Sequence, residues 1–468
     1  MPDQSHEPGS SASLAAALEK PPKEVDQGVL HRAIAASALG NMTEWFDYGV
    51  YAATLTYLTH TFFPGHLGSI GTYLGFAISF VLRPLGGMVW GPLGDRLGRK
   101  VVMATTILMM AGSTALIGVL PSHAQVGVLA PILLMLLRVI QGFSTGGEYG
   151  GAATFMAEYS PDRKRGRYGS FLEFGTMCGF ALGSCVVLLM QALTTDEQMQ
   201  SWGWRIPFFI ALPLGAVGWY LRSHMDDTPV FEEMEATPEG DISAWGRFKK
   251  LLVEYWRPIL TMFGMVIALN VVNYSLLTYM PTYLEKEINL STGSTTALIV
   301  IGEVVMAAFI PLFGRLSDYT GRKPMWWGSL IGLLIFAWPL FILMAQGFVW
   351  AIIAFVILGL LYIPQLATIS ATFPAMFPTP VRYAGFAISY NVATAAFGGT
   401  AGLINDAVVD NTGWKLFPAW YMMAACVIGL LAMPFLKETK GCSIRGAEIP
   451  GPDTNATRLA RIHEKASA

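Results

Sequence analysis

Apolar residues run along this chain in blocks of about twenty, with the polar residues gathered between the blocks. A helix crosses the hydrocarbon core of a bilayer with about 20 such residues. Blocks long enough fall at 33–58, 70–93, 101–120, 126–157, 168–193, 205–222, 258–283, 293–316, 325–345, 349–374, 383–408 and 415–436. The pattern predicts an all-α integral membrane protein of twelve spans. Gly and Pro interrupt several blocks, which membrane helices tolerate where neighbours satisfy the freed backbone groups.

The polar segments divide the chain. Residues 1–30 hold Pro, Ser, Lys and Glu without an apolar core, and read as a disordered arm rather than a signal peptide. Residues 31–222 and 257–437 hold six spans each, separated by a linker over 223–256. Within the linker, Trp245, Phe248, Leu252 and Tyr255 fall at helical spacing, as in a helix lying on a membrane surface or simply a short helix in a solvated connection. Residues 438–468 form a short tail without apolar heptads.

Lys and Arg cluster in alternate loops: Arg96, Arg99 and Lys100 after the second block, Arg163, Lys164, Arg165 and Arg167 after the fourth, and Arg315, Arg322 and Lys323 after the eighth. Residues 59–69, 121–125 and 346–348 contain none. Short basic loops stay cytoplasmic, so both termini are expected there, in a bacterial-type inner membrane. The halves also repeat. GPLGDRLGRK from Gly91 is echoed by GRLSDYTGRK from Gly314, and Pro161-x-x-x-Arg165 by Pro378-x-x-x-Arg382. Paired halves with a binding site between them near mid-membrane are a recurring build of secondary transporters.

Composition agrees. Of the 468 residues, 53% are hydrophobic and 13% charged, against about 25% charged in soluble domains. No Gly-Lys pair occurs, so the usual phosphate cradle for ATP is absent, and no basic cluster suggests nucleic acid. The His residues read as loop or tail residues and no HExxH is present, so no metal, cofactor or enzyme activity is expected. Cys178 and Cys185 are about 10 Å apart along a helix, too far for a disulfide.

Within GNMTEWFDYGVY, residues 40–51, Glu44 and Asp47 interrupt an apolar block. A charge at the bilayer centre costs about 2.5–3.5 kcal/mol on insertion scales and faces protein or water. Glu44, Arg83 and Glu148 all lie about 15–16 Å into their blocks, at one depth. Such a cluster is either a structural ion pair or a proton and substrate site. Arg138, Gln141, Thr145 and Glu148 share one stripe of the fourth block. Glu173 and Glu303 are further intramembrane carboxylates, read first as structural partners. Asp95, Arg99, Glu158 and Arg165, with Asp318, Arg322 and Arg382 at repeated positions, are expected to form a cytoplasmic charge network that holds one conformation shut.

These motifs resemble a known family. GPLGDRLGRK and its echo are similar to the loop signature of the major facilitator superfamily, and Arg138-x-x-Gln141-Gly142 to its span-four motif, whose Arg is associated with proton coupling. Glu158 and Arg165 resemble the charge pair of sugar-porter-like members; Ala375 stands where the second half's matching Glu would be. No G-x-x-x-G-P antiporter motif appears in the fifth block. GNMTEWFDYGVY, EYSPDRKRGRYGSFLEFG, WGWRIPFFIALPLG, LLTYMPTYL and FPAMFPTPVRYAGFAISYN together resemble the metabolite:proton symporter family, in its branch carrying proline and glycine betaine.

The resemblance implies a twelve-helix fold of two pseudo-symmetric halves and proton-coupled import of small zwitterionic osmolytes by alternating access. Glu44, Asp47, Glu148 and Arg138 would couple the proton. A betaine-like substrate needs a donor for its carboxylate and aromatic faces for its ammonium. Arg83, Trp45, Tyr48, Tyr274, Tyr279, Tyr362 and Tyr390 are candidates, with the amides Asn270, Asn273 and Gln365. Two alternatives are a proton symporter for citrate, 2-oxoglutarate or shikimate, and a non-transporting sensor on the same scaffold.

Overall fold

The computed structural model describes residues 27–64, 68–97, 99–146, 148–223, 251–446 and 448–467. The expected arm and most of the expected linker helix lie outside them, as do the side chains of Asp95, Arg99 and Glu148.

The described residues form helices, without a strand among them. The first half contains α1 (Gln27–Ala53, resumed as Leu55–Phe62), α2 (Gly68–Val81 and Arg83–Leu97), α3 (Arg99–Ile117), α4 (Leu129–Thr145 and Glu148–Tyr159), α5 (Arg165–Leu193) and α6 (Ala211–Ser223). The second contains α7 (Trp256–Tyr274 and Met280–Lys286), α8 (Thr292–Thr320), α9 (Arg322–Met344), α10 (Phe348–Leu366), α11 (Arg382–Ala393 and Gly399–Thr412) and α12 (Phe417–Ala432). A final helix, α13 (Asn455–Ser467), follows an irregular stretch. Among the described residues, nine helices are long and apolar enough to cross a membrane.

Large apolar side chains face outward along the spans, including Ile132 and Leu136 on α4, Ile335 and Trp338 on α9 and Leu431 on α12. A bilayer, not water, is the solvent such a surface requires. α7 is central: 83% of its most apolar stretch is buried, against 39% in α9 and α12.

Breaks in the helices position the interior. Pro84 has no N–H to return to Phe80, and α2 breaks at Leu82, just before Arg83. α7 and α11 each pass through a π turn near their middle, at Ser275–Tyr279 and Thr394–Gly398. Such turns widen a helix and re-aim the side chains beside them. Glycines let α4 press against α2: a Cβ on Gly142 would strike the Ser79 carbonyl, and one on Gly146 the Arg83 carbonyl. Small residues at such crossings allow close backbone approach in membranes. The halves meet along two seams, α5 against α8 and α2 against α11.

Gly142→Val is expected to lower the thermal midpoint of the detergent-purified protein by several degrees, since overpacking costs about 1–3 kcal/mol. An unchanged midpoint would show that this crossing does not hold α2 to α4.

Candidate functional site

α1 carries two buried carboxylates one turn apart, and the structure gives each its own guanidinium. Asp47 accepts from Arg138 Nη1 at 3.0 Å, Gln141 Nε2 at 3.0 Å and Thr114 Oγ1 at 2.9 Å. Arg138 also donates to Gln141 Oε1 at 2.7 Å, Ser79 Oγ at 3.1 Å and the Gly75 carbonyl at 3.3 Å. Its guanidinium lies 4.3 Å from the Tyr51 ring centroid. This knot ties α1, α2, α3 and α4 together, and the Asp47 and Arg138 charges are internally satisfied.

Glu44 faces the other cation. Arg83 Nη2 lies 4.0 Å from Glu44 Oε1 and donates to the Tyr48 hydroxyl at 2.7 Å. Arg83 Nε and Nη1 are buried with no hydrogen-bond partner among the described residues. The guanidinium packs on the rings of Phe80, Tyr48 and Trp45, 4.5, 5.2 and 5.7 Å from their centroids. A buried polar group without a partner costs about 1–3 kcal/mol, more when charged, so this arrangement is poised for an acceptor.

Trp45 connects Arg83 to a cleft between the halves. Trp45, Glu173 and Thr176 line it from the first half; Asn270, Asn273, Tyr274, Tyr362 and Tyr390 line it from the second. The cleft has room for about one water molecule. Tyr390 stacks on Tyr149 at 4.6 Å, and the Tyr149 hydroxyl donates to Glu173. Asn270 donates to Thr394 Oγ1 at 2.9 Å, at the start of the π turn in α11, and Tyr362 donates to Asn273 Oδ1 at 3.1 Å. Asn41 accepts from Trp45 Nε1 at 3.2 Å and donates to the Leu172 carbonyl at 2.9 Å, which fixes the Trp45 ring against α5.

Both ends of the cleft are shut by contacts between the halves. At the basic-loop end, Arg382 donates to Glu158 at 2.8 Å. Asp318 accepts from the Gly166 and Arg167 backbone N–H groups, each at 2.8 Å, and pairs with Arg322 at 2.9 Å. A carboxylate there satisfies orphan N–H groups at the start of α5. The segment after α12 crosses this end: Arg165 donates to the Cys442 carbonyl at 3.2 Å and Arg382 to that of Ile444. At the opposite end, Lys286 donates across the halves to Ser69 Oγ at 2.9 Å, and within its own half it reaches Asp406 and Asp410, each at 3.0 Å. Ser69 donates to Asp406 at 2.5 Å, and the Tyr73 and Thr282 hydroxyls meet at 2.7 Å.

Several expected groupings change. Glu44 and Asp47 do not share one site; they belong to two clusters. Glu158 pairs with Arg382 of the other half rather than with Arg165, whose carboxylate partner is Asp162. Ala375 explains this, because it leaves Arg382 without a glutamate in its own half. Gln365 lies outside the cleft, donating to Ser329 Oγ at 2.8 Å between α10 and α9. Tyr279 lies near Tyr73 and Tyr283, away from the cleft lining. Asp406, buried within an apolar block, escaped the sequence reading although an intramembrane carboxylate is itself the signal. Tyr149 and Asn41 carried no signal beyond their neighbours.

Residues 37–403 match the Major Facilitator Superfamily. The chain is 41% identical over 437 residues to the proline/betaine transporter of Salmonella typhimurium, covering 90% of this chain and 86% of that one. It is 42% identical over 444 residues to a putative proline/betaine transporter of Staphylococcus aureus, covering 93% and 94%. Its fold is similar to that of the proton:xylose symporter XylE bound to 6-bromo-6-deoxy-D-glucose, with a TM-score of 0.70 and 18% identity over 90% of this chain and 98% of that one.

Asp47→Asn strands Arg138, and breaking a buried pair costs about 3–5 kcal/mol. The thermal midpoint of the purified protein should fall sharply, and Arg138→Gln combined with Asp47→Asn should recover part of the loss. Additive losses would show that the two charges are not coupled.

Proposed function

We propose that this chain, which belongs to the major facilitator superfamily, is a proton-coupled symporter importing small zwitterions such as proline and glycine betaine by alternating access. The observation that carries the reading is Arg83: a buried cation with two unpartnered nitrogens beside an aromatic cleft between the halves. A substrate carboxylate supplies the missing acceptors. Its ammonium then meets the faces of Trp45, Tyr274, Tyr362 and Tyr390, where cation–π attraction contributes about 0.5–2 kcal/mol per favourable contact. Glu173, held by Tyr149, adds a carboxyl group to that wall. The names of the two bacterial relatives support this substrate class.

Proton coupling follows from competition. Glu44 stands 4.0 Å from Arg83. Substrate carboxylate bound at Arg83 displaces Glu44 from its cation, and a carboxylate left in low dielectric takes up a proton. Counting Arg83, protonated Glu44 and the zwitterion, the loaded centre carries one positive charge more than the empty pair, the charge of the imported proton. Asp47 is held by Arg138 and keeps α1 in place. Since basic loops stay inside, the Glu158–Arg382 and Asp318 contacts form the cytoplasmic gate, and Ser69 with Asp406 and Tyr73 with Thr282 the outer gate. Glu148 belongs to the coupling set by its position at the start of the second piece of α4.

A dicarboxylate would want two free cations, and Arg138 is occupied by Asp47, Gln141 and Ser79. A non-transporting sensor has no need of the buried carboxylates present here.

Uptake in proteoliposomes tests the reading. Labelled betaine and proline should accumulate under an imposed acid-outside gradient, more strongly at high osmolality. Arg83→Ala should abolish uptake or raise KM at least about tenfold, the loss of a charge-assisted bond. Glu44→Gln should lose uphill accumulation while substrate exchange continues. If the wild type takes up neither compound under any condition, the substrate class is wrong; if Glu44→Gln loses both activities equally, Glu44 shapes the site rather than couples it.

A further inference from the structure

A second buried carboxylate lies away from the central cleft, on the seam between the halves. Glu303 sits about 17 Å along α8 from Thr292, near mid-membrane. It is 1% exposed, and its Oε2 has no partner among the described residues. Ser184 of α5, in the opposite half, is the polar side chain that faces it. The groups facing it from neighbouring helices are Ser184 and Cys185 of α5, with the Phe355 ring of α10 packed beside Gly302. No Lys or Arg stands against it among the described residues. It therefore differs from Glu44 and Asp47, each of which has a guanidinium.

Ser184 has a second role. It lines a cavity about the size of a water molecule, whose walls include Thr56 of α1, Glu285 of α7 and Thr296 of α8. Thr56 donates to Glu285 at 2.8 Å, toward the end away from the basic loops. The other walls are apolar, Ala52, Ala53, Leu277, Pro281 and Ile299, and a single water there would find its partners on Ser184, Thr56, Thr296 and Glu285. Polar groups thus run from half-buried Glu285, through the cavity and Ser184, to Glu303.

We propose that Glu303 is a second proton-binding site, supplied through Glu285 and Ser184 from the outer side and emptied when the α5–α8 seam takes up water. The assignment of the outer side, and of proton coupling, rests on the function proposed above. A proton from outside water bonds to Oε2, so a neutral acid occupies the dry seam, where an unpaired carboxylate would be costly. When the halves separate, the O–H bond breaks, the proton passes to water and the carboxylate is hydrated. The seam then closes only after another proton binds.

Infrared spectroscopy of the purified full-length protein reads this directly. The wild-type-minus-Glu303→Gln difference spectrum at neutral pH should contain a protonated-carboxyl C=O band that shifts in D2O. Ser184→Ala should move that band to higher frequency, because the carbonyl loses its donor; this variant serves if Glu303→Gln does not fold. In proteoliposomes, Glu303→Gln should lose gradient-driven accumulation. A difference spectrum without the band, or a band indifferent to Ser184→Ala, overturns the proposal. The band needs no substrate, so a protein that shows it yet ignores betaine would refute the substrate reading while leaving this site in place.

Discussion

A charge inside a membrane must be paired, hydrated or neutralised, and this molecule is arranged around that requirement. α1 carries Glu44 and Asp47 at mid-membrane, and each recruits an arginine from another helix: Arg83 from α2 and Arg138 from α4. Removing one member of such a pair costs about 3–5 kcal/mol, enough to consume much of a protein's net stability. The two pairs differ in completeness. Arg138 is saturated by Asp47, Gln141, Ser79 and Gly75, whereas Arg83 retains two unpartnered nitrogens. The complete pair anchors the helix; the incomplete one lies beside Trp45, at the edge of the cleft between the halves.

The gates follow the same logic at the two ends. Charged groups there are buried, with Arg382 and Arg322 1% and Asp406 0% exposed, so each depends on its partner across or beside the seam. The chain after α12 joins the inner set: the Glu438 carboxylate accepts from Arg322 N at 3.0 Å and Lys323 N at 2.9 Å, at the start of α9. Arg165 and Arg382, one from each half, then hold the Cys442 and Ile444 carbonyls. The tail is thus bound to both halves at the end that carries the basic loops.

The fold was legible in the sequence because lipid allows little else. Blocks of twenty apolar residues separated by alternately basic loops specify a bundle, and the repeat of GPLGDRLGRK reveals its halves. Glu44, Asp47, Arg83 and Arg138 were legible as charges in an apolar setting. Their partition into two pairs was not, because it depends on which helix each side chain meets and on the breaks at Leu82 and Gly146. The Glu158–Arg382 pair crosses 224 residues and became visible only once α4 and α11 were seen to meet. The π turns at Ser275–Tyr279 and Thr394–Gly398 leave no hydrophobic signature, since both lie within continuous apolar runs. Gln365 illustrates the reverse error: a mid-span amide whose partner is a neighbouring helix.

The central claim is that substrate takes Arg83 from Glu44 and leaves a proton on the carboxylate. Addition of glycine betaine to the purified protein in weak buffer, followed with a pH-indicator dye, measures that step without membranes or gradients. Proton uptake that saturates with betaine and vanishes in Glu44→Gln is the predicted result. Betaine binding with no accompanying change in pH, or with the same change in Glu44→Gln, would contradict it.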